Sequence, residues 1–291
     1  MEKDDQGFNI QFLDNIESVK YSRNGRLIAC LLSQVPEDTL FPRAKYSLMI
    51  YDIENSCENT RISLESKPID YICFDNENTN YAIIFFEKSI FLWDIDAQQE
   101  CGSIRIASGG NTGIKNFALS DDGKYLGLAV VDGTKISTAN FSRIFDIKEG
   151  IKIYENKHSS DAEAHHICFS PDNQYAVVVL KPSLPGTIFQ ILRQVEENKF
   201  VVEQTFQIAM GVVKSIKFHP DGQKIYIAEK SGYRTINKRK VLHKGDIIIY
   251  DFINQRLDKF LQPDERNQGT DDFELNRDGS LFLTKSNSSF K

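Results

Sequence analysis

The chain has 291 residues, of which 41% are hydrophobic, with 20 Phe and 11 Tyr. That is enough apolar area for a sizeable core and excludes an intrinsically disordered chain. The formal net charge of -6 argues against a surface that binds nucleic acid or anionic membrane as a whole, and leaves room only for a local basic patch. The opening Met1-Glu2-Lys3-Asp4-Asp5 lacks the basic-then-apolar pattern of a secretory signal, and the longest apolar runs, such as Tyr81 to Phe86, are too short to span a bilayer. A soluble, cytoplasmic protein is therefore expected.

The apolar run Phe8 to Phe12 comes first, followed by a phrase that recurs along the chain. The phrase is a set of alternating apolar residues, a polar turn and a second apolar run. It occurs at Val19 to Gly25, Tyr71 to Asn76, Phe117 to Gly123, Ile167 to Asn173, Ile216 to Gly222 and Phe273 to Gly279. Aligning Tyr21, Phe74, Leu119, Phe169, Phe218 and Leu275 gives spacings of 53, 45, 50, 49 and 57 residues. A period of that length marks an array of structural repeats. Asn-Gly and Asp-Gly supply the positive φ of a tight hairpin, and Asn173 substitutes where Gly is missing. Each phrase thus predicts a hairpin between strands a and b.

A third run ends in aromatic-Asp at Tyr51-Asp52, Trp93-Asp94, Phe145-Asp146 and Tyr250-Asp251, and predicts strand c. In the fourth repeat Phe189-Gln190 stands where this ending is expected. A more polar run follows each: Arg61 to Glu65, Gly102 to Ala107, Ile151 to Glu155, Phe200 to Ile208 and Arg256 to Leu261. These read as strand d. Four short antiparallel strands cannot bury both faces alone and must stack on neighbouring units.

The "FSPD" and "FHPDG" turns at Phe169 to Asp172 and Phe218 to Gly222, with the Trp93-Asp94 ending, resemble the tryptophan-aspartate (WD) repeat family across nearly the whole chain. Only Trp93-Asp94 keeps the literal dipeptide, and the Gly-His element ahead of strand a is absent, so apolar packing is expected to hold the blades. The resemblance implies an all-β fold: a β-propeller of four-stranded antiparallel blades, five full and a sixth incomplete. The blades fall at about 16–66, 67–108, 112–157, 163–209, 211–262 and 270–291 in one domain, with a strand at 8–13 closing the ring. Either the sixth blade is incomplete or the chain is a piece of a longer propeller protein.

In such a meander the b-to-c and d-to-a connections emerge at one end of every blade. The insertions Ser33 to Lys45, Asp132 to Asn140 and Lys230 to Lys244 are all b-to-c connections. They share that end with the d-to-a connections Ser108 to Gly113, Asn156 to Glu163 and Pro263 to Thr270. Loops on a rigid scaffold are where binding usually lives, so this end is the expected recognition surface. Candidate partner-binding residues are Leu40, Phe41 and Arg43 in the first insertion, and Tyr233, Arg234, Lys238, Arg239, Lys240 and Lys244 in the third. Leu40 and Phe41 can anchor a partner or fold back onto the blade. The basic run suits an acidic peptide, phosphate or RNA, or is simply a solvated loop.

Catalytic motifs are absent: there is no GxSxG elbow and no HExxH helix, and Ser108 to Gly113 fits no phosphate-binding loop. His165 and His166 are adjacent on a predicted strand, so their side chains should point to opposite faces. His158 and His243 fall in predicted loops, and His219 should bond locally within its turn. Five cysteines form no CxxC pair, and Cys30, Cys73 and Cys168 read as buried thiols. No cofactor, metal site or small-molecule substrate is expected. The expected function is a non-enzymatic scaffold for protein partners. An electrostatic binder of RNA or phosphorylated lipid through 230–244 is the first alternative, and a propeller hydrolase the second.

Overall fold

The structure, a computed structural model, describes residues 15–22, 25–34, 45–64, 71–74, 81–86, 89–106, 113–133, 138–183, 186–208, 210–229, 232–236, 239–243, 247–261, 272–275 and 282–285, in some strands as backbone alone. The described residues contain strands and turns and no helix, and so no helix that could cross a membrane. The chain divides into two compact units, 1–106 and 107–291.

The first unit holds two four-stranded sheets. One is β1 (Asn15–Tyr21), β2 (Leu27–Gln34), β3 (Lys45–Asp52) and β4 (Cys57–Leu64). The other is β5 (Tyr71–Phe74), β6 (Tyr81–Phe86), β7 (Ser89–Asp94) and β8 (Gln99–Arg105). The second unit holds three more. They are β9 (Gly113–Leu119), β10 (Tyr125–Gly133), β11 (Thr138–Asp146) and β12 (Ile151–His158); then β13 (Ala162–Phe169), β14 (Tyr175–Pro182), β15 (Thr187–Glu196) and β16 (Lys199–Ile208); then β17 (Val213–Phe218), β18 (Lys224–Glu229), β21 (Ile247–Asp251) and β22 (Arg256–Leu261). Two hairpins complete it: β19 (Gly232–Ile236) with β20 (Arg239–His243), and β23 (Asp272–Leu275) with β24 (Phe282–Lys285). All pairings are antiparallel and each four-stranded sheet is a meander in chain order, the last with β19 and β20 inserted between β18 and β21. The fold is propeller-like and all-β, as the repeat predicts. The expected closing strand at 8–13 lies outside the described residues.

The a-to-b turns form as their residues dictate. Gly25, Gly123, Asn173 and Gly222 have φ of 75°, 70°, 59° and 71°, the left-handed region that Gly and Asn enter most easily. The hydroxyl at the head of each turn accepts the N–H five residues on, Ser22 from Leu27 at 2.8 Å, Ser120 from Tyr125 at 2.8 Å and Ser170 from Tyr175 at 2.9 Å. His219 occupies that position in the fifth blade. Its Nδ1 accepts the Asp221 N–H at 3.3 Å and lies 2.8 Å from the Asp221 carboxylate, the local bonding expected of it.

The aromatic-Asp ending has a physical role at the c-to-d turn. Asp52, Asp94, Asp146 and Asp251 each accept the backbone N–H three residues on, from Asn55, Ala97, Glu149 and Asn254 at 3.0, 2.8, 2.9 and 2.9 Å. Ser56, Gln98, Gly150 and Gln255, four residues after each Asp, all have positive φ. The fourth blade departs from this, and from the expected ending at Phe189-Gln190. Its register pairs Tyr175 with Arg193 where the third blade pairs Tyr125 with Asp146. Arg193 therefore holds the Asp position, bonded at 2.8 Å to Glu203, and β15 runs on to Glu196, turning at Asn198 with φ 61°.

Apolar packing between blades carries the core. Val177, Val179, Phe189, Ile191, Ile216, Ile225, Ile227 and Tyr250 join the fourth and fifth blades. Phe206 stacks between Phe189 and Tyr250 at 5.3 and 4.8 Å. Tyr125, Ala129, Ile144, Ile167, Phe169, Val178 and Phe200 join the third and fourth. Full burial of such side chains stabilises by roughly 1.5–3 kcal/mol each. In the first unit, Leu27, Ala29, Leu48 and Ile50 of one sheet pack with Ile84, Phe91 and Trp93 of the other. Cys30 and Cys168 are buried free thiols, as expected, and burial pushes the Cys168 thiol up to about 12. Cys57 and Cys101 are exposed.

Candidate partner-docking face

In the second unit the a strands β9, β13 and β17 pack side by side, with β23 against β17. Side-chain-to-backbone bonds tie them: the Ile167 N–H donates to Asn116 Oδ1 at 3.0 Å, and His166 Nε2 lies 3.1 Å from the Val213 carbonyl. The starts of these strands and the ends of β10, β14 and β18 lie at the end that carries the b-to-c and d-to-a connections.

Two connections at that end are shorter than the sequence predicts. The expected d-to-a loop at Asn156 to Glu163 shrinks to residues 159–161, because β12 runs to His158 and β13 starts at Ala162. His158, expected in a loop, is instead a buried strand residue. Its Nε2 sits 3.0 Å from the buried Ser142 hydroxyl, and burial lowers its imidazole to about 4. Loss of hydration disfavours the charged ring, which is neutral at pH 7. The expected loop at Asp132 to Asn140 also shortens, since β10 reaches Gly133 and β11 begins at Thr138. Asp132 is buried and bonded at 3.2 Å to Arg143, which also donates to Glu155 at 2.6 Å.

The insertion at 230–244 is no plain loop. It carries its own antiparallel ribbon, with Gly232 opposite His243, Tyr233 opposite Leu242, Arg234 opposite Val241, Thr235 opposite Lys240 and Ile236 opposite Arg239. Tyr233 and Arg234 thus sit on β19, and Arg239, Lys240 and His243 on β20. The side chains of these five, together with Leu40, Phe41, Arg43, Lys238 and Lys244 entirely, lie outside the described residues.

A second feature of this end was not read from the sequence. Each a strand of the second unit's four-stranded sheets carries a β-bulge near its start. Ala129 pairs with Asn116 and Val130 with Ile114, leaving Lys115 as the extra residue. His165 is extra between Ala164 and His166, and Lys214 between Val213 and Ser215. All three stand five residues ahead of the turn head, Ser120, Ser170 and His219 respectively. A bulge interrupts alternation and re-aims the side chain it frees. It also overturns the opposed placement expected of the histidine pair: the His165 and His166 rings lie 5.0 Å apart.

Lys115 and Lys214 are exposed and His165 half-buried. Lys115 bonds Glu163 at 3.0 Å, and Glu163 pairs across the ladder with exposed Lys181. Burial lowers the His165 imidazole below its ordinary value; Glu163 opposes this, while Lys181, Lys115 and Lys214 push it further down. Beside them, buried Glu229 accepts the Gly211 N–H, and the Thr187 hydroxyl donates to the Gly211 carbonyl at 2.9 Å, fixing the d-to-a connection ahead of β17. The signal in the sequence was the shared offset from the turn head, which shows only when the repeats are aligned backwards from the turn.

No protein-family model matches the chain, and no curated protein matches it in sequence. Solved structures do. A chain of the Kuenenia stuttgartiensis hydrazine synthase aligns with a TM-score of 0.62 at 14% identity, over 95% of this chain and 75% of its own. A chain of a mitotic checkpoint complex aligns with a TM-score of 0.61 at 14% identity, over 95% of this chain and 73% of its own. At such identities the likeness is one of fold, and it is to the propeller-like, all-β fold of these chains that this protein is similar.

Proposed function

We propose that the chain is a degenerate WD-repeat propeller acting as a non-enzymatic scaffold that docks another protein on the end carrying the b-to-c and d-to-a connections. The observation that carries this reading is the concentration of non-repeat structure there. The β19–β20 ribbon is inserted there between β18 and β21, while the opposite end repeats one c-to-d turn design in four of the five four-stranded sheets. A rigid scaffold with one elaborated end suits recognition. The fold likeness to a component of a multi-protein assembly supports the same reading.

The test is affinity capture from native extract with the intact chain and with the Lys238→Ala, Arg239→Ala, Lys240→Ala variant. Capture of a defined protein set, reduced in the variant, is expected. Recovery of RNA or lipid alone, with steep salt dependence that the variant abolishes, overturns it in favour of electrostatic binding through the ribbon. Hydrolytic turnover by the purified chain overturns the non-enzymatic part.

A further inference from the structure

The three bulges place Lys115, His165 and Lys214 at one equivalent position on three neighbouring strands, each ejected from its ladder. Lys181 joins them from β14, opposite Glu163. Among the described residues Lys181 and Lys214 form no ion pair; Glu163 is held on Lys115 in a half-exposed pair of the kind that contributes little, and buried Glu229 lies opposite Val213, the neighbour of Lys214. Three cations and an imidazole are thus collected at one end of a chain whose net charge is -6. The bulges also interrupt the a strands, which are the edge strands of their sheets. They hinder the addition of a partner's β-strand there and leave recognition to side chains.

We propose that the bulge residues Lys115, His165 and Lys214, with Lys181, recognise a short acidic segment of a protein partner. This rests on the scaffold reading above and names the chemistry of its partner. A short segment with a few Asp or Glu carboxylates meets only the local positive field. A long polyanion such as RNA extends beyond the Debye length of about 10 Å and meets the acidic remainder of the molecule. The segment's carboxylates take the lysine ammonium groups in charge-assisted bonds and compete with Glu163 for Lys115.

The experiment is fluorescence anisotropy with the intact chain and a labelled peptide of alternating Asp and Ser, against a Lys-Ser peptide and an oligouridylate several times longer than the Debye length of about 10 Å. Binding of the Asp-Ser peptide alone is expected, weakening as salt rises. Lys181→Glu with Lys214→Glu should weaken it about tenfold or more, and Glu163→Gln, by releasing Lys115, should strengthen it about two- to fivefold. The gain in the Glu163→Gln variant keeps the test informative should the double variant fold poorly.

Absence of peptide binding, unchanged affinity in the double variant, or tighter binding of the oligouridylate each overturns the assignment. Partners captured from extract by the native chain and fully retained by the double variant overturn this assignment and leave the scaffold reading standing. Peptide binding that depends on Lys181 and Lys214, with no protein captured from extract, supports the site and overturns the scaffold reading.

Discussion

The Asp52 carboxylate closes the first blade by accepting two bonds from the Arg26 guanidinium, from Nε at 3.0 Å and Nη2 at 2.8 Å, while also accepting the Asn55 N–H at 3.0 Å. One buried side chain therefore fixes both the a-to-b and the c-to-d turn at that end of the blade. Burial raises the Asp52 carboxyl, but the bonds from Arg26 and Asn55 outweigh this and hold it below its ordinary value. A carboxyl depressed in the folded state contributes stability that is present above its unfolded value and lost as pH falls through the folded one. Asp52→Ala should cost about 1–3 kcal/mol at pH 7. In urea titrations that difference should shrink below about pH 4; an unchanged midpoint at pH 7 would count against the role.

Gly127 lies where the third blade meets the fourth. A Cβ there would stand 2.6 Å from Ile167 Cδ1 and 3.1 Å from Phe169 Cε2. Both neighbours belong to the packed interface and have little room to yield. Gly127→Ala should destabilise by about 1–3 kcal/mol in chemical unfolding, and Ile167→Val in the same chain should recover part of the loss. No loss in the single variant would show that the two sheets slide apart easily.

Arg143 sits 8% exposed between Asp132, 7% exposed, and Glu155. Removing the guanidinium leaves Asp132 buried without its cation, so Arg143→Met should cost about 3–5 kcal/mol. Arg143→Met combined with Asp132→Leu should cost much less, because no unpaired charge remains. Equal losses in the two variants, measured by thermal unfolding, would refute the buried-charge account.

His158 links pH to stability. Its folded value of about 4 lies below the unfolded value near 6.5. Between these two the unfolded chain binds a proton that the folded chain does not, so stability rises with pH across that window. Falling from pH 7 to pH 4, the protein should lose on the order of 3 kcal/mol through this group, levelling off below pH 4. His158→Gln, which can still bond Ser142, should flatten that part of the profile. A slope unaltered by the substitution would mean that other groups control acid unfolding.

Much of the fold was legible because its signals are local. Gly25, Gly123, Asn173 and Gly222 take positive φ for reasons contained within a few residues, and Asp52, Asp94, Asp146 and Asp251 cap turns three residues away. The fourth blade's c strand lacks the capping Asp, so the sequence suggests an ending at Gln190, and only the ladder register identifies Arg193 as the equivalent position. His158 read as a loop residue because its polar neighbours, Asn156, Lys157 and Ser159, resemble a connection, and strand continuation there depends on pairing with Asn140. For the candidate site, the end of the blades and the basic segment were visible in the sequence. The ribbon pairing within that segment and the three bulges were not.

The sequence by itself determined the repeat, the order of the strands and the chemistry of the turns, since each rests on alternation and on conformational preferences of residues close together in the chain. Tertiary structure alone decided which residue of each a strand is expelled from its ladder, which polar groups are buried, and which charges come together. Lys115, Lys181 and Lys214 are far apart in sequence, and no local preference distinguishes them from other lysines on strands. They become one group only because register across each hairpin and packing between blades must both be satisfied, and the bulge is where the two are reconciled.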